Sequence, residues 1–440
     1  MASTYLYKTP SSAGSRVKWT YSVWLKRGAI EVQTPIWAAT TDGSNYDEFY
    51  FNSGDKIQYS TITGGTQKAI RTTRVFRDTS AWYHIVLIYD TGNSTDTDHA
   101  QLWINGVRET SFEDTTLLAS GANNVQSNWN NNIEMKIGRV TTNTAAYYDG
   151  SMAVAEFVNN QTYVPTYFGS FDSTTGIWTS TATSTIADYG TNGFKLKMDT
   201  TSPGADTSGK GNTFSVGGSA TLLQGSPDNN WCTWTPLAKY NRSATFANGN
   251  TTVNSNNNSL WDSARGAFGF QKGKWYWETK FFGSSAAFNY IGVCNENALM
   301  GTNDAYDKNA VTLFYNSDGG EMRKDGNPTT ANYGTFSTSD VCGVAVDADN
   351  NTISIYKNNS IIVTNYALST YANQLNGTGF IFPNAAVLDN GSGQYTNFGE
   401  GFFGTVAAGT SADGNGQGLF AFAPPSGYYA LNTKNLEAYG

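Results

Sequence analysis

An all-β chain of two antiparallel β-sandwiches in tandem is the fold class this sequence predicts, on three observations. Aromatic residues make up 14% of the 440 positions and charged residues also 14%, with 46 glycines. That profile suits twisted sheets and many turns, because helices would need far more Ala, Leu, Glu and Lys. The stretch Gly273 to Lys280 sets Trp275, Trp277 and Thr279 on one face of an extended strand and Tyr276, Glu278 and Lys280 on the other. Two indoles on one face require a broad apolar layer to cover them. Finally, strand-like runs are punctuated by turn signals such as Asn105-Gly106 and Asp349-Asn350-Asn351.

In chain order, residues 1–170 form a first domain. Thr20 to Lys26 alternates, Glu48 to Asn52 is a short strand, and Trp82 to Tyr89 is apolar on both faces apart from His84, hence internal. Gln101 to Val107 runs into the Asn105-Gly106 hairpin signal, and strands follow at Ile133 to Ile137 and Gly150 to Val158. Residues 171–230 read as a Ser/Thr-rich connector whose Phe194 to Met198 run can return as a strand to the first sandwich. Residues 231–400 form the second domain, with strands at Gly273 to Lys280, Tyr290 to Cys294, Leu313 to Tyr315, Val341 to Asp347 and Thr352 to Asn359. Residues 401–440 are Gly-rich, then aromatic, and must dock on the second domain or on a neighbouring chain.

The formal charge of −8 argues against nucleic acid as the main partner, since phosphate binding needs a basic patch. Cys232, Cys294 and Cys342 fall at unrelated spacings, so they read as buried small hydrophobes rather than a disulfide or metal framework. No signal peptide and no membrane insertion are expected.

The order "GKWYWE", "IGV", Asp318-Gly319-Gly320 and "VCGVAVDADNNTISIYKNN" resembles the SPRY (B30.2-like) domain, departing at Asn359-Ser360, where Gly is more usual. The order "WYHIVLIYD", "LWINGV", "MKIGR" and "DGSMAVAEFV" resembles the laminin-G-like, or concanavalin A-like, jelly roll. Across nearly the whole chain, "YLYKTPSSAGSRVKWTYSVWLKRG", "GSFDSTTGIW", "DTSGKGN" and "FAFAPPSGYYALNTKNL" resemble tail-fibre-like virion proteins of tailed phages. This last resemblance implies an external virion component, made in the bacterial cytoplasm. Its expected partners are other virion proteins, host-surface glycan and its own copies, as a trimer for example.

No catalytic pattern is complete, so no enzyme is expected. Gly204 to Lys210 matches a phosphate loop, but Gly211 stands where Ser or Thr would reach Mg²⁺, and no helix pattern follows. The paired carboxylates of retaining sandwich glycosidases and the Gly-x-Ser-x-Gly elbow do not occur. His84 reads as a strand histidine with a satisfied ring. For Ca²⁺, Asp90, Asp96, Asp98 and the Asp206-Gly209-Asn212 turn offer hard oxygen ligands, and laminin-G-like domains sometimes hold this ion at a rim. The alternative is a solvated acidic loop. Binding is the better reading, because sandwich loops stack aromatic rings on sugars. The loop-placed candidates are Trp37, Tyr46, Tyr147, Tyr148, Trp261 and Tyr306. The alternatives are a capsid or tail decoration protein and, more distantly, a depolymerase.

Overall fold

The computed structural model describes residues 4–140, 146–181, 185–199, 201–240, 244–256, 258–283, 288–296, 298, 310–316, 319–324, 327–328, 331–368 and 379–440, without the side chains of 239, 240, 315, 316, 327 and 328. The chain divides into two compact units, Met1–Leu222 and Leu223–Gly440. Each is a pair of antiparallel sheets closed on its own apolar core. The expected all-β tandem sandwich is what forms.

In the first unit, among the described residues, an eight-stranded sheet runs in the order Phe112–Asp114, Thr66–Thr72, Ile57–Thr63, Asn45–Phe51, Thr34–Asp42, Met135–Ile137, Tyr5–Lys8, Ser215–Gly217. A six-stranded sheet runs Phe194–Leu196, Gly150–Asn159, Lys18–Arg27, Trp82–Asp90, Ala100–Ile104, Val107–Arg108. Alternation sends Trp19, Tyr21, Val23 and Leu25 into the space between the sheets, against Trp37, Phe49, Tyr59 and Trp129. The Trp19 and Tyr89 rings stack 4.9 Å apart there. Burying each such side chain contributes about 1.5–3 kcal/mol. The other face of the Trp82–Asp90 strand is covered too: Val86 and Ile88 pack under Phe168, Tyr163 and Ile186. That is why the run is apolar on both sides.

The stretch expected as a connector over 171–230 carries short strands, among them the expected return of Phe194–Leu196 to the first sandwich, and the boundary between the compact units falls inside it, after Leu222. Gly169–Phe171 pairs with Trp178–Ser180, Phe194–Leu196 pairs with Ala155 to Phe157, and Ser215–Gly217 pairs with Tyr5 to Tyr7. The last two strands satisfy sheet edges whose backbone groups would otherwise stay open.

In the second unit, one sheet runs Trp234–Tyr240, Asp262–Gly266, Ile381–Leu388, Phe288–Asn295, Ala310–Asn316, Gly319–Lys324, Asn327–Pro328. The other runs Thr245–Ala247, Thr252–Asn254, Gly393–Asn397, Lys274–Phe282, Val341–Asp347, Thr352–Lys357, Ser360–Ala367. Trp275 and Trp277 enter the main core, while Tyr276 faces a separate cluster with Trp231, Phe420 and Ala430. The departure at Asn359 is resolved locally. Asn358 and Asn359 have φ of 47° and 68°, the left-handed pair that a two-residue hairpin between Lys357 and Ser360 requires.

The tail returns onto this sheet. Tyr429–Ala430 adds in parallel to Trp275 and Tyr276, and the helix Thr433–Tyr439 is capped by the Asn432 side chain. Asp413 fixes the return by accepting from the backbone N–H of Ala430 at 2.9 Å and from Asn435 Nδ2 at 2.8 Å. Cys232, Cys294 and Cys342 are all buried with free thiols, and burial pushes the Cys294 thiol up to about 12.

Candidate ligand-binding face

The site is built from strand register. Ser215, Tyr7, Lys136, Ala38, Glu48, Ser60 and Ala69 are successive cross-strand partners over seven strands of the first unit. Their neighbours Leu6, Ile137, Phe49, Tyr59 and Ile70 belong to the core. The row therefore lies on the outer face of the eight-stranded sheet. Two residues along the Asn45–Phe51 strand in each direction sit Tyr46, opposite Thr40 and Ile62, and Tyr50, opposite Gln58. The small side chains of Ala38, Ser60 and Ala69 are buried on this side, beside the half-buried Tyr46, Tyr50 and Tyr7.

The electrostatics follow from burial and from Glu48, which is 9% exposed. Burial first, and then the Glu48 carboxylate, raises the Tyr46 phenol above its usual range. The same two causes push Tyr50 up to about 12. One carboxylate thus stands between two neutral phenols, whose ring faces and hydroxyl groups suit a polyhydroxylated ligand. The cations nearby are matched: Lys136 Nζ lies 2.5 Å from Glu134, and Lys56 and Arg71 both pair with Glu113. Those two side-chain partners, Lys56 first, hold the Glu113 carboxyl below its usual range.

At the far end of the same sheet the Tyr5 and Tyr7 rings lie 5.7 Å apart and those of Tyr5 and Tyr147 6.1 Å apart. The Arg139 guanidinium sits 4.7 Å over Tyr5 and 5.2 Å over Tyr147. Gly217 lies against the Tyr5 ring, where an added Cβ would come within 2.4 Å of it.

Of the residues singled out from sequence, Tyr46 and Tyr147 thus belong to the neighbourhood of this face. Trp37 does not. It is wholly buried, packed 3.9 Å from the Trp129 ring, because the Thr34–Asp42 strand begins earlier than its loop reading allowed. Tyr148 is held by its hydroxyl donating to the Lys26 carbonyl at 3.0 Å, so it is a packing residue rather than a platform. Trp261 lies in the second unit, 4.7 Å from the Tyr290 ring and 6.4 Å from Phe314. Tyr306 lies outside the described residues, as does Asp318. The sequence reading missed Tyr5, Tyr7, Glu48, Tyr50, Lys136 and Arg139. The signal was Tyr-x-Tyr at 5–7 and Tyr-x-Glu-x-Tyr at 46–50, a period of two on strands whose other face is core.

The aspartates considered for Ca²⁺ do not form a site for it. Asp90 pairs with Lys18 at 3.2 Å, Asp98 with Arg108 at 2.5 Å, and Asp96 lies 3.7 Å from the His99 ring. Asp206 is filled by the backbone N–H groups of Lys195, Ser208 and Asn212 at 2.7–2.9 Å and by the Ser208 hydroxyl at 2.9 Å. No three His, Cys, Asp or Glu side chains converge among the described residues. Calcium needs several oxygens aimed at one point, whereas these carboxylates already face protein donors. No helix among the described residues is long and apolar enough to cross a membrane.

Comparison with known proteins agrees with this architecture. Residues 2–161 match the concanavalin A-like lectin/glucanases superfamily, and residues 274–401 match the SPRY domain. No curated protein matches. Among solved structures, the SPRY domain of human HERC1 is 14% identical, with 37% of this chain and 94% of that one covered at a TM-score of 0.29. The PSpry domain of TRIM65 is 17% identical, covering 38% and 92% at 0.30. Stonustoxin is 14% identical, covering 38% of this chain and 28% of its own at 0.29. This chain carries a concanavalin A-like domain of the laminin G type followed by a SPRY domain, a pairing that fits a role in binding carbohydrate or protein.

Proposed function

We propose that this chain is a non-enzymatic binding protein of a phage virion, in a tail fibre or other external appendage, which attaches to glycan on the host surface. The glycan reading rests on the Tyr46–Glu48–Tyr50 strand face, where the half-buried Tyr46 and Tyr50 rings flank Glu48 on the outer side of the sheet. The virion reading is supported by the motif order that runs from the Tyr5 stretch to the aromatic tail. A single site of this kind binds weakly, and repeated copies on one particle would multiply its strength. The absence of catalysis is part of the proposal: Glu113 and Glu134 are engaged by cations rather than poised across a sugar bond.

The test is a glycan array probed with the full chain and with the Tyr46→Ala/Tyr50→Ala variant. Loss of every hit in the variant, with folding intact by circular dichroism, is the expected result. Unchanged hits would remove this face from consideration, and release of reducing sugar from a bound polysaccharide would make the protein a depolymerase.

A second reading, docking on other virion subunits, is favoured by the outer face of the SPRY unit. There the half-buried Phe288, Phe314 and Trp261 gather over the buried Tyr290, with the Arg323 guanidinium 4.1 Å over Phe314. Aromatic side chains with an arginine are the composition of protein interfaces. Cross-linking of intact particles would identify a subunit bound at Trp261.

A further inference from the structure

On the reading that this sheet face binds glycan, we propose that the glycan carries a carboxylate, as a uronic or other acidic sugar does, and that Arg139 is the residue that holds it. Other cations around the face are matched by carboxylates. Lys136 is met by Glu134, and Lys56 and Arg71 share Glu113. Arg139 is half-buried and forms no ion pair with a carboxylate among the described residues; its Nε is enclosed by the protein, so its Nη groups are the donors a ligand can reach.

The geometry says what kind of acceptor fits. The guanidinium lies over the Tyr5 and Tyr147 rings at 4.7 and 5.2 Å. A cation held against aromatic rings keeps the N–H groups not turned to the rings as donors, here those of the two Nη atoms. A planar fork of donors matches a carboxylate with two parallel hydrogen bonds. The rings of Tyr5, Tyr7 and Tyr147 then supply apolar surface for the sugar that bears it.

Charge gives the ligand a direction as well. Glu48 stands in the middle of the face, in the same cross-strand row as Tyr7 and Lys136. A second acidic group placed there would meet like charge, so uncharged hydroxyl-bearing rings belong between Tyr46 and Tyr50 and the acidic sugar belongs at the Arg139 end. With a formal chain charge of −8, generic attraction does not explain uptake of an anionic polymer. A specific cation must.

The experiment compares binding of polygalacturonate, dextran sulfate and neutral dextran to the full chain and to its Arg139→Ala, Arg139→Lys and Tyr46→Ala variants, at rising salt. Polygalacturonate is expected to bind best. Arg139→Ala should weaken it by about tenfold or more, as expected for a lost charge-assisted hydrogen bond. Arg139→Lys should restore part of the loss, since it keeps the charge without the fork. Tyr46→Ala should weaken polygalacturonate and dextran alike. Equal binding of dextran and polygalacturonate in the parent chain overturns the acidic assignment while leaving the face as a glycan site. A preference for dextran sulfate overturns the carboxylate. If Tyr46→Ala leaves all three unchanged, the glycan reading itself fails. Arg139→Lys that binds like the parent would show that the fork is not used.

Discussion

The Trp178 indole N–H donates to His84 Nδ1 at 3.0 Å, and the Ser22 hydroxyl meets the opposite ring nitrogen at 2.8 Å. The imidazole is stacked between Trp24 and Trp178, with centroids 4.6 and 5.8 Å away. It is a structural clamp that ties the Trp178–Ser180 hairpin to the outer face of the six-stranded sheet. Burial lowers the His84 pKa from 6.5 to about 3. The unfolded chain therefore takes up the proton first as the pH falls, and stability is lost from about pH 6.5 down to about pH 3. The slope approaches about 1.4 kcal/mol per pH unit inside that window. His84→Gln should flatten this part of a pH–stability profile measured by urea unfolding. Trp178→Phe, which removes only the N–H donor and some ring area, should cost on the order of 1 kcal/mol.

Glu278 is expected to give the tail the opposite pH dependence. Its carboxylate accepts from the backbone N–H groups of Ala421 and Phe422 at 2.8 and 2.9 Å and from the Tyr276 hydroxyl at 3.2 Å. Burial pushes the carboxyl up to about 7, with these donors only partly offsetting it. Its folded pKa exceeds the ordinary 4.5, so the protonated form favours docking. Tail stability is full below about pH 4.5 and falls as the pH rises through about 7. Hydrogen exchange at the Ala421 and Phe422 amides, corrected for intrinsic rate, should show protection declining from pH 5 to pH 8. In Glu278→Gln the decline should vanish. An equal decline in both proteins would assign the pH effect to another group.

Arg27 and Asp55 form an ion pair at 3.0 Å with both side chains fully buried, and Asp55 also takes Arg77 at 2.8 Å and the Glu31 N–H at 2.8 Å. Removing one member strands a buried charge, which costs about 3–5 kcal/mol, more than the net worth of the pair. Asp55→Ala should accordingly destabilise the first unit by that amount in denaturant titration. Replacing Arg77, which is half exposed, should cost under about 1 kcal/mol.

The strands were legible in the sequence wherever one alternating face is apolar, as at Trp19 to Leu25 and at Trp275 and Trp277. The site was half legible. Tyr46 was found, but as a loop residue, because Thr40 to Asn45 reads as turn while register extends both flanking strands through it. Trp37 was misassigned because a tryptophan beside Thr and Pro looks like a loop until its strand is known. Glu48 and Lys136 could not be joined by any local pattern, since they meet only through Ala38 across three strands. The role of Glu278 was hidden for the same reason: its backbone donors lie more than 140 positions away in the tail.

Gly106 supplies the most local of the tests. Asn105 and Gly106 have φ of 49° and 77°, the left-handed pair that closes the hairpin between Ile104 and Val107. A Cβ added at Gly106 would lie 2.3 Å from the Trp178 ring, which its hydrogen bond to His84 holds against this turn. Two penalties therefore coincide in Gly106→Ala. The positive φ costs about 1 kcal/mol for a non-glycine residue, and the steric overlap must displace the indole. The displaced ring should lose its hydrogen bond to His84 and shift toward solvent. The variant is expected to be destabilised by about 2 kcal/mol or more, with red-shifted tryptophan emission. Gly64→Ala, at a φ of 55° with open space around it, should show the conformational cost alone and leave the emission unchanged. If both variants behaved alike, Trp178 would not be packed on this turn.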